Sequence, residues 1–139
     1  MTAPRPMVLG VGVDLVHVPS FAAQLAVPGT RFAEAFTPGE RADAADRADP
    51  SASLAARWAA KEAVVKAWSA ALFGSPPVLP EAVHRRIEVV TDAWNRPAVR
   101  LLGEVATAAA SSLGPDLTWH LSLSHDADLA TAYVTLTRP

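Results

Sequence analysis

The chain has 139 residues, half of them hydrophobic, and a formal net charge of -2 at pH 7. This length and composition predict one compact domain over residues 1–139, because domains commonly contain about 100 to 200 residues. The net charge gives no indication of a basic surface for nucleic acid or an anionic membrane. Neither a signal peptide nor a membrane span is expected. The absence of cysteine excludes disulfides and favours a cytoplasmic location.

The first predicted element is a strand over residues 8–18, rich in β-branched residues and carrying one carboxylate, Asp14. Desolvation strongly penalises an unpaired carboxylate in a buried strand. We therefore expect Asp14 to be protonated, paired with a base or bound to a cation. Gly10 and Gly12 do not complete a dinucleotide-binding fingerprint, and they are better explained by close approach of a neighbouring backbone or ligand.

Three helices are predicted next. The first is short, and the second begins at Pro38, is exposed and is ended by Pro50. The third is long, and its N-cap is expected to be Ser51 or Ser53. The predicted bounds are 32–36, 38–49, and from either serine to Trp68 or slightly beyond.

The long helix is the most informative segment, because residues 57–68 place four charges among Ala, Val and Trp. A helix that is apolar on nearly every side is usually buried, so its charges need partners or a bound ion. At about 100° per residue, Glu62 and Lys66 form one charged stripe, and Arg57 and Lys61 form another. The structural alternative is a surface ion pair between Glu62 and Lys66, worth about 0.3 to 0.5 kcal/mol.

Asp14, Glu62 and Lys66 together suit phosphate chemistry. Two carboxylates supply hard oxygen ligands for Mg²⁺ and leave coordination positions for water and substrate phosphate, while the lysine supplies a point cation. The absence of cysteine argues against a thiolate zinc site. These residue types therefore indicate a magnesium site, with Mn²⁺ as a possible substitute.

The remaining elements are predicted to be strands and one alanine-rich helix after a proline-rich connection over residues 75–80. Helices and hairpins segregate along the chain, which predicts an α+β fold with a mainly antiparallel sheet packed with a long central helix. The predicted strands are 87–91, 98–102, 119–124 and 129–136, and the helix is 104–113.

A polar cluster lies in the penultimate strand. Alternation places His120, Ser122 and Ser124 on one face, and His125 falls at the strand end beside a turn that starts at Asp126. A hydrolase triad is excluded, because adjacent residues of a strand cannot converge as nucleophile and base must. His125 is therefore either a turn residue satisfied by backbone or a contact for phosphate or ribose.

Three segments resemble motifs of one family, the holo-acyl-carrier-protein synthases, which are the small class of 4'-phosphopantetheinyl transferases. The family motif Gly-Ile-Asp-Ile-Val is similar to residues 12–16, and Arg-Phe-Ala-Ala-Lys-Glu-Ala-x-x-Lys is similar to residues 57–66. The C-terminal motif Val-Ser-x-Ser/Thr-His is similar to residues 121–125. Residues 32–41 and 87–97 further resemble the actinobacterial members.

The resemblance implies the 4'-phosphopantetheinyl transferase fold, a homotrimer with sites at subunit contacts, and transfer of 4'-phosphopantetheine from coenzyme A to a serine of an apo acyl carrier protein, with release of 3',5'-ADP. Asp14 and Glu62 would hold Mg²⁺, and Lys66 would neutralise diphosphate charge. Glu62 is also a candidate to orient a water that serves as base. The implied contacts to coenzyme A are Arg57, Lys66, Ser124 and His125, with Arg57 from a neighbouring subunit.

Docking of the carrier is expected to differ from the family pattern. The arginine that the family commonly uses corresponds to Ser20 in this chain. Arg31 and Arg41, on either side of the short helix, are therefore the candidates to meet an acidic carrier helix. The carrier is either a free-standing protein or a domain of a fatty-acid or polyketide synthase.

Two alternatives to the enzyme stay open. One is a catalytically inactive module that binds coenzyme A or a nucleotide, and the other is a structural trimer whose charges are merely paired. Both are disfavoured because Asp14, Glu62 and Lys66 are all present, whereas an inactive relative could have lost any of them.

Overall fold

The computed structural model describes residues 5–139, and this part of the chain folds into five strands and four α-helices. The predicted α+β class is confirmed. Two short 3-10 turns lie at Phe32–Ala35 and Val83–Arg86. The strands are β1 (Met7–His17), β2 (Ile87–Thr91), β3 (Pro97–Leu101), β4 (Thr118–Asp126) and β5 (Leu129–Arg138), and the helices are α1 (Val18–Leu25), α2 (Pro38–Ala45), α3 (Pro50–Ala71) and α4 (Gly103–Leu113).

The strands pair antiparallel, as predicted, but they form two sheets and not the single sheet expected. One has three strands in the order β1-β5-β4, and the other is the β2-β3 hairpin. Gly12 and Asp14 on β1 lie opposite Val134 and Ala132 on the central strand β5, and His125 on β4 lies opposite Ala130. Long hydrogen-bonded ladders therefore hold the residues of β1 and β4 in a defined register.

Helix α3 crosses β1 at unusually short distance because two glycines leave room for it. A Cβ atom on Gly12 would lie 1.9 Å from the carbonyl oxygen of Ala63, and one on Gly10 would lie 2.2 Å from that of Ala67. This confirms that the glycines serve close backbone approach. Two strand residues span about the same length as one helical turn, so Asp14 comes level with the turn that begins near Ala59.

Strand β1 is buried on one face, whereas the sequence predicted a buried strand. Val11, Val13 and Leu15 point away from α3 and are exposed by 48%, 55% and 63%. Tyr133 on β5 is exposed on the same face. The part of the outer face that β1 and Tyr133 form is therefore apolar and open to solvent in the single chain.

The start of α3 corrects the prediction. The N-cap is Asp49, whose carboxylate accepts a hydrogen bond from the backbone N–H of Ala52 at 3.0 Å. Ser51 and Ser53 are therefore wrong as N-caps, since both lie inside the helix. Pro50 occupies the first turn of α3, where its missing N–H costs nothing.

Helices α1 and α2 also differ from expectation. Helix α1 was not predicted; it follows β1 directly and is capped by His17, whose ring accepts from the backbone N–H of Ser20 at 3.3 Å. Helix α2 begins at Pro38 as predicted but ends at Ala45. Glu40 is buried in this helix, although the helix was expected to be exposed.

The core is organised around α3, which packs against both the sheet and α4. Its second half is buried with Trp68 and with Val134 of the sheet, and its first half borders an aromatic cluster that includes Phe36 and Trp58. No helix within residues 5–139 has the length and hydropathy to cross a membrane.

Candidate active site

Asp14 is paired with Lys66 across the contact between β1 and α3. The ammonium Nζ of Lys66 lies 3.1 Å from Asp14 Oδ1 and donates to the carbonyl oxygen of Val13 at 2.9 Å. The Asp14 side chain is 17% exposed and that of Lys66 is 51% exposed. Of the three outcomes expected for Asp14, pairing with a base is the one observed, and the pair is open to solvent on the lysine side.

Glu62 lies one helical turn before Lys66 but pairs with a different residue. Its Oε1 lies 2.8 Å from Nε2 of His84, which belongs to the second 3-10 turn. Among the ion pairs of residues 5–139, none joins Glu62 to Lys66. The simple surface pair on α3 is therefore not formed.

The two carboxylates fit an open magnesium site better than a closed one. Asp14 and Glu62 are both partly exposed, and each lies within two residues of the contact between Gly12 on β1 and Ala63 on α3. No cluster of three or more potential metal-binding side chains occurs in the described part of the chain. Mg²⁺ commonly takes only one or two protein carboxylates and keeps water and phosphate oxygens as further ligands, so this donor set suits it.

The second charged stripe of α3 is buried. Lys61 is fully buried, with Nζ 2.8 Å from Glu40 Oε1 and 3.0 Å from the carbonyl oxygen of His84, and it also donates to the carbonyl of Ile87. Burial lowers the pKa of Lys61, and the carboxylate of Glu40 opposes that shift. Lys61 therefore anchors the 3-10 turn and the start of β2 to the long helix.

Arg57 is likewise buried and partnered. Its guanidinium donates to the carbonyl oxygen of Val89 at 2.7 Å and pairs with Asp43. This side chain connects α3 to α2 and β2. The guanidinium group already has two protein partners, so a predicted contact to a nucleotide would use its remaining N–H groups.

A cavity of about 710 Å³ opens at the N-terminal end of α3. His125 lines it, and its Nε2 lies 3.2 Å from the carbonyl oxygen of Ala52. Arg57 and Asn95 also line the cavity, whereas Asp14 and its partner Lys66 do not. The structure brings Arg57 and His125 together and places them apart from the carboxylates of the same chain.

Ser124 does not share the cavity with His125. Successive residues of β4 point to opposite sides of the sheet, and Ser124 is paired with Thr131 on the outer face. The two neighbours in sequence therefore face different surroundings: His125 faces α3, and Ser124 faces the exposed side of the three-stranded sheet.

Sequence analysis did not single out His84 or Glu40. His84 contacts Glu62, and Glu40 contacts Lys61, the neighbour of Glu62 on α3. In each pair the two residues are more than 20 positions apart in the sequence. No short motif connects such distant positions. The only available signal was the burial predicted for the helix, which required partners for its charges.

Comparisons with known proteins identify the family of the chain. The family model of the 4'-phosphopantetheinyl transferase superfamily matches residues 10–134. A holo-[acyl-carrier-protein] synthase of Mycobacterium tuberculosis (strain ATCC 25177 / H37Ra) is 56% identical over 133 residues, which cover 95% of this chain and 98% of the relative.

Two solved structures from Chronobacterium ammoniagenes are similar over nearly the whole chain. The apo-ACPS structure has a TM-score of 0.88 at 47% identity and covers 97% of this chain and 99% of its own. The ACPS-CoA complex has a TM-score of 0.87 at 48% identity, with 94% and 97% covered. The chain therefore belongs to the 4'-phosphopantetheinyl transferase superfamily and, within it, to the holo-[acyl-carrier-protein] synthases.

Proposed function

We propose that this chain transfers the 4'-phosphopantetheine group of coenzyme A to a serine of an apo acyl carrier protein. The serine hydroxyl gives its proton to a water that Glu62 would orient, and its oxygen attacks the β-phosphorus to form a phosphodiester bond. The bond from that phosphorus to the bridging oxygen breaks, and its electron pair leaves with 3',5'-ADP. The observation that carries the proposal is the Asp14–Lys66 contact at 3.1 Å with Glu62 one turn away on α3, in a chain of this family.

Asp14 and Glu62 are the residues that would hold Mg²⁺, or Mn²⁺ in its place. When bound, the ion would supply positive charge for the diphosphate of coenzyme A. Lys66 is about half exposed, so its ammonium can turn toward a phosphate oxygen while its stem stays on α3. Catalysis of phosphoryl transfer is largely electrostatic stabilisation of the transferred group, which two carboxylates that hold an ion and one lysine can supply.

The nucleotide end of coenzyme A is assigned to the cavity lined by Arg57 and His125. The N-terminus of α3, a kind of position that favours anions, opens onto the same cavity through Ser51 and Ser53, with the N-cap Asp49 beside them. The C. ammoniagenes ACPS-CoA complex supports coenzyme A as the ligand. Because this cavity and the Asp14 site lie apart in one chain, we assign the two halves of a complete site to neighbouring subunits.

A homotrimer would bring those halves together. The outer face of the three-stranded sheet exposes Val11, Val13, Leu15 and Tyr133. A contiguous apolar surface of this kind is typical of subunit contacts. Ser124 lies on the same face, so a contact from Ser124 to coenzyme A would be made near the subunit boundary.

The carrier would dock on local arginines. Arg41 lines a groove together with Arg85 and Arg86, and Arg31 is exposed but forms a 3.0 Å ion pair with Glu34. Ser20, which replaces the usual docking arginine, has its hydroxyl oxygen 2.7 Å from Nδ1 of His17, the N-cap of α1. Arg31 and Arg41 stay our candidates for the carrier, whether free-standing or part of a synthase. A cytoplasmic location also stays a prediction.

One assay tests the function and its two alternatives. The protein is incubated with coenzyme A, Mg²⁺ and an apo acyl carrier protein, and the carrier is weighed by mass spectrometry. Gain of one phosphopantetheine group is the expected result. Binding of coenzyme A without modification would favour the inactive module, and neither binding nor modification would favour a purely structural trimer.

A further inference from the structure

We propose that His84 is a positioning residue for Glu62, whose carboxylate it holds in the orientation that binds the metal ion. The proposal rests on the proposed function, because it assigns a role within the same site. It concerns a residue that lies outside the three motifs by which the chain resembles its family.

The contact is close and His84 Nε2 has little choice of partner. Nε2 lies 2.8 Å from Glu62 Oε1, is itself buried, and makes no well-aligned hydrogen bond within residues 5–139. Leaving a buried polar group unsatisfied costs about 1 to 3 kcal/mol. Hydrogen bonds at catalytic sites are often poorly aligned without ligands and tighten when ligands bind.

The imidazole is held in place from two other sides. Its ring packs on Trp58 with centroids 4.6 Å apart and planes tilted by 31°. Its backbone carbonyl accepts from Lys61 Nζ at 3.0 Å, and Lys61 is fixed by Glu40 at 2.8 Å. Lys61 therefore helps to position His84, which in turn contacts Glu62.

The two carboxylates consequently have different partners. Asp14 is paired with Lys66, which leaves His84 beside Glu62. A neutral imidazole with its proton on Nε2 can donate to Glu62, so the role does not require a charged histidine. Hydrogen-bond partners of metal ligands orient them, and their loss typically weakens metal binding or activity by about 10- to 100-fold.

The test measures Mn²⁺ binding to the full-length protein, from the electron paramagnetic resonance signal of the free ion in the presence of coenzyme A. His84→Phe keeps a ring against Trp58 but removes the donor, and we expect at least about tenfold weaker binding. His84→Gln keeps an N–H donor, and it should bind Mn²⁺ more tightly than the Phe variant. Glu81→Gln, a change at an exposed position three residues before His84, is the matched control and should bind as wild type.

Kinetics supply a second readout. His84→Phe should raise the Mg²⁺ concentration needed for half-maximal transfer, while the KM for coenzyme A at saturating Mg²⁺ stays near the wild-type value. A change of packing alone would not produce this separation. Near-UV circular dichroism of the tryptophans checks that each variant is folded.

The outcomes separate this proposal from the proposed function. If Glu62→Ala loses Mn²⁺ but His84→Phe binds as wild type, the role of His84 is wrong and the metal site stands. Equal losses in His84→Gln and His84→Phe would overturn the hydrogen-bond role. If Glu62→Ala itself binds Mn²⁺ normally, the metal site of the proposed function fails.

Discussion

Lys66 on α3 pairs with Asp14 on β1 at 3.1 Å, although Glu62 is its neighbour one turn away on the same helix. The pairing across two elements leaves Glu62 to a separate partner, His84. A site assembled in this way depends on the distance between the helix and the strand as much as on the three charged residues.

The first prediction concerns the two proposed metal ligands. Asp14→Asn and Glu62→Gln keep side-chain size but remove charge, so each should lower the transfer rate by about 100-fold or more while leaving the thermal midpoint close to wild type. Transfer is measured by carrier mass, and EDTA should abolish it in the wild type until Mg²⁺ or Mn²⁺ is restored. Asp116→Asn, in an exposed loop, is the control. Rates within a few-fold of wild type in either variant would refute the site.

The second prediction concerns the approach of α3 to β1. Gly12→Ala would place a Cβ atom 1.9 Å from a backbone oxygen of Ala63, so helix and strand must separate. We expect a loss of about 1 to 3 kcal/mol in the free energy of unfolding, measured by urea denaturation. Gly39→Ala is the matched control, because the nearest atoms to its Cβ would be 3.7 and 3.8 Å away. Similar stabilities for the two variants would contradict the close contact.

The third prediction is a pH dependence of stability. Burial tends to raise the pKa of Glu88, but hydrogen bonds from Thr37 and Arg100 outweigh it, so its pKa is lowered from 4.5. A lowered pKa in the folded state means that the carboxylate stabilises the fold above its unfolded pKa, and that this stability is lost as the pH falls through the folded pKa.

Glu88→Gln should therefore cost about 1.5 to 3 kcal/mol of unfolding free energy at pH 7, as expected for hydrogen bonds to a charged group. The difference from wild type should shrink as the pH is lowered below 4.5. Urea denaturation over a series of pH values measures it. A difference that is independent of pH would show that the charge of Glu88 does not contribute.

The fourth prediction concerns His125 in the cavity at the start of α3. His125→Ala should weaken binding of coenzyme A more than it slows saturated turnover, because a contact remote from the reacting atoms mainly supplies binding. Dephospho-coenzyme A lacks the 3'-phosphate. If His125 binds that phosphate, the KM for dephospho-coenzyme A should be similar for mutant and wild type. An unchanged KM for coenzyme A would leave His125 as a strand residue satisfied by the carbonyl of Ala52.

The fifth prediction concerns carrier docking. Arg31→Glu combined with Arg41→Glu should raise the KM for the carrier several-fold at low salt and leave the KM for coenzyme A unchanged. Surface charges act mainly on association and are screened over about 8 Å at physiological ionic strength, so added salt should reduce the difference. Steady-state kinetics at two salt concentrations provide the measurement. Unchanged carrier kinetics at low salt would place docking elsewhere.

Local sequence was sufficient for the five strands, for helices α2 to α4 and for the family, but it did not predict α1. The β2 strand was predicted with its observed bounds, and α4 began and β4 and β5 ended within a few residues of prediction, because alternation and turn residues act over short distances. It was not sufficient for helix ends. The N-cap is Asp49 and not the predicted Ser51 or Ser53, because only the folded backbone decides which of these side chains meets the free N–H.

The residue types of the site were also readable from the sequence, since charges in an apolar helix and strand require partners. Which partner each charge takes was decided by tertiary structure. Lys66 turns to Asp14 because Gly12 lets β1 lie against α3, and Lys61 turns to Glu40 because α2 covers the opposite side of that helix. His84 reaches Glu62 from a distant turn, and no local pattern encodes a contact that depends on how two separate segments pack.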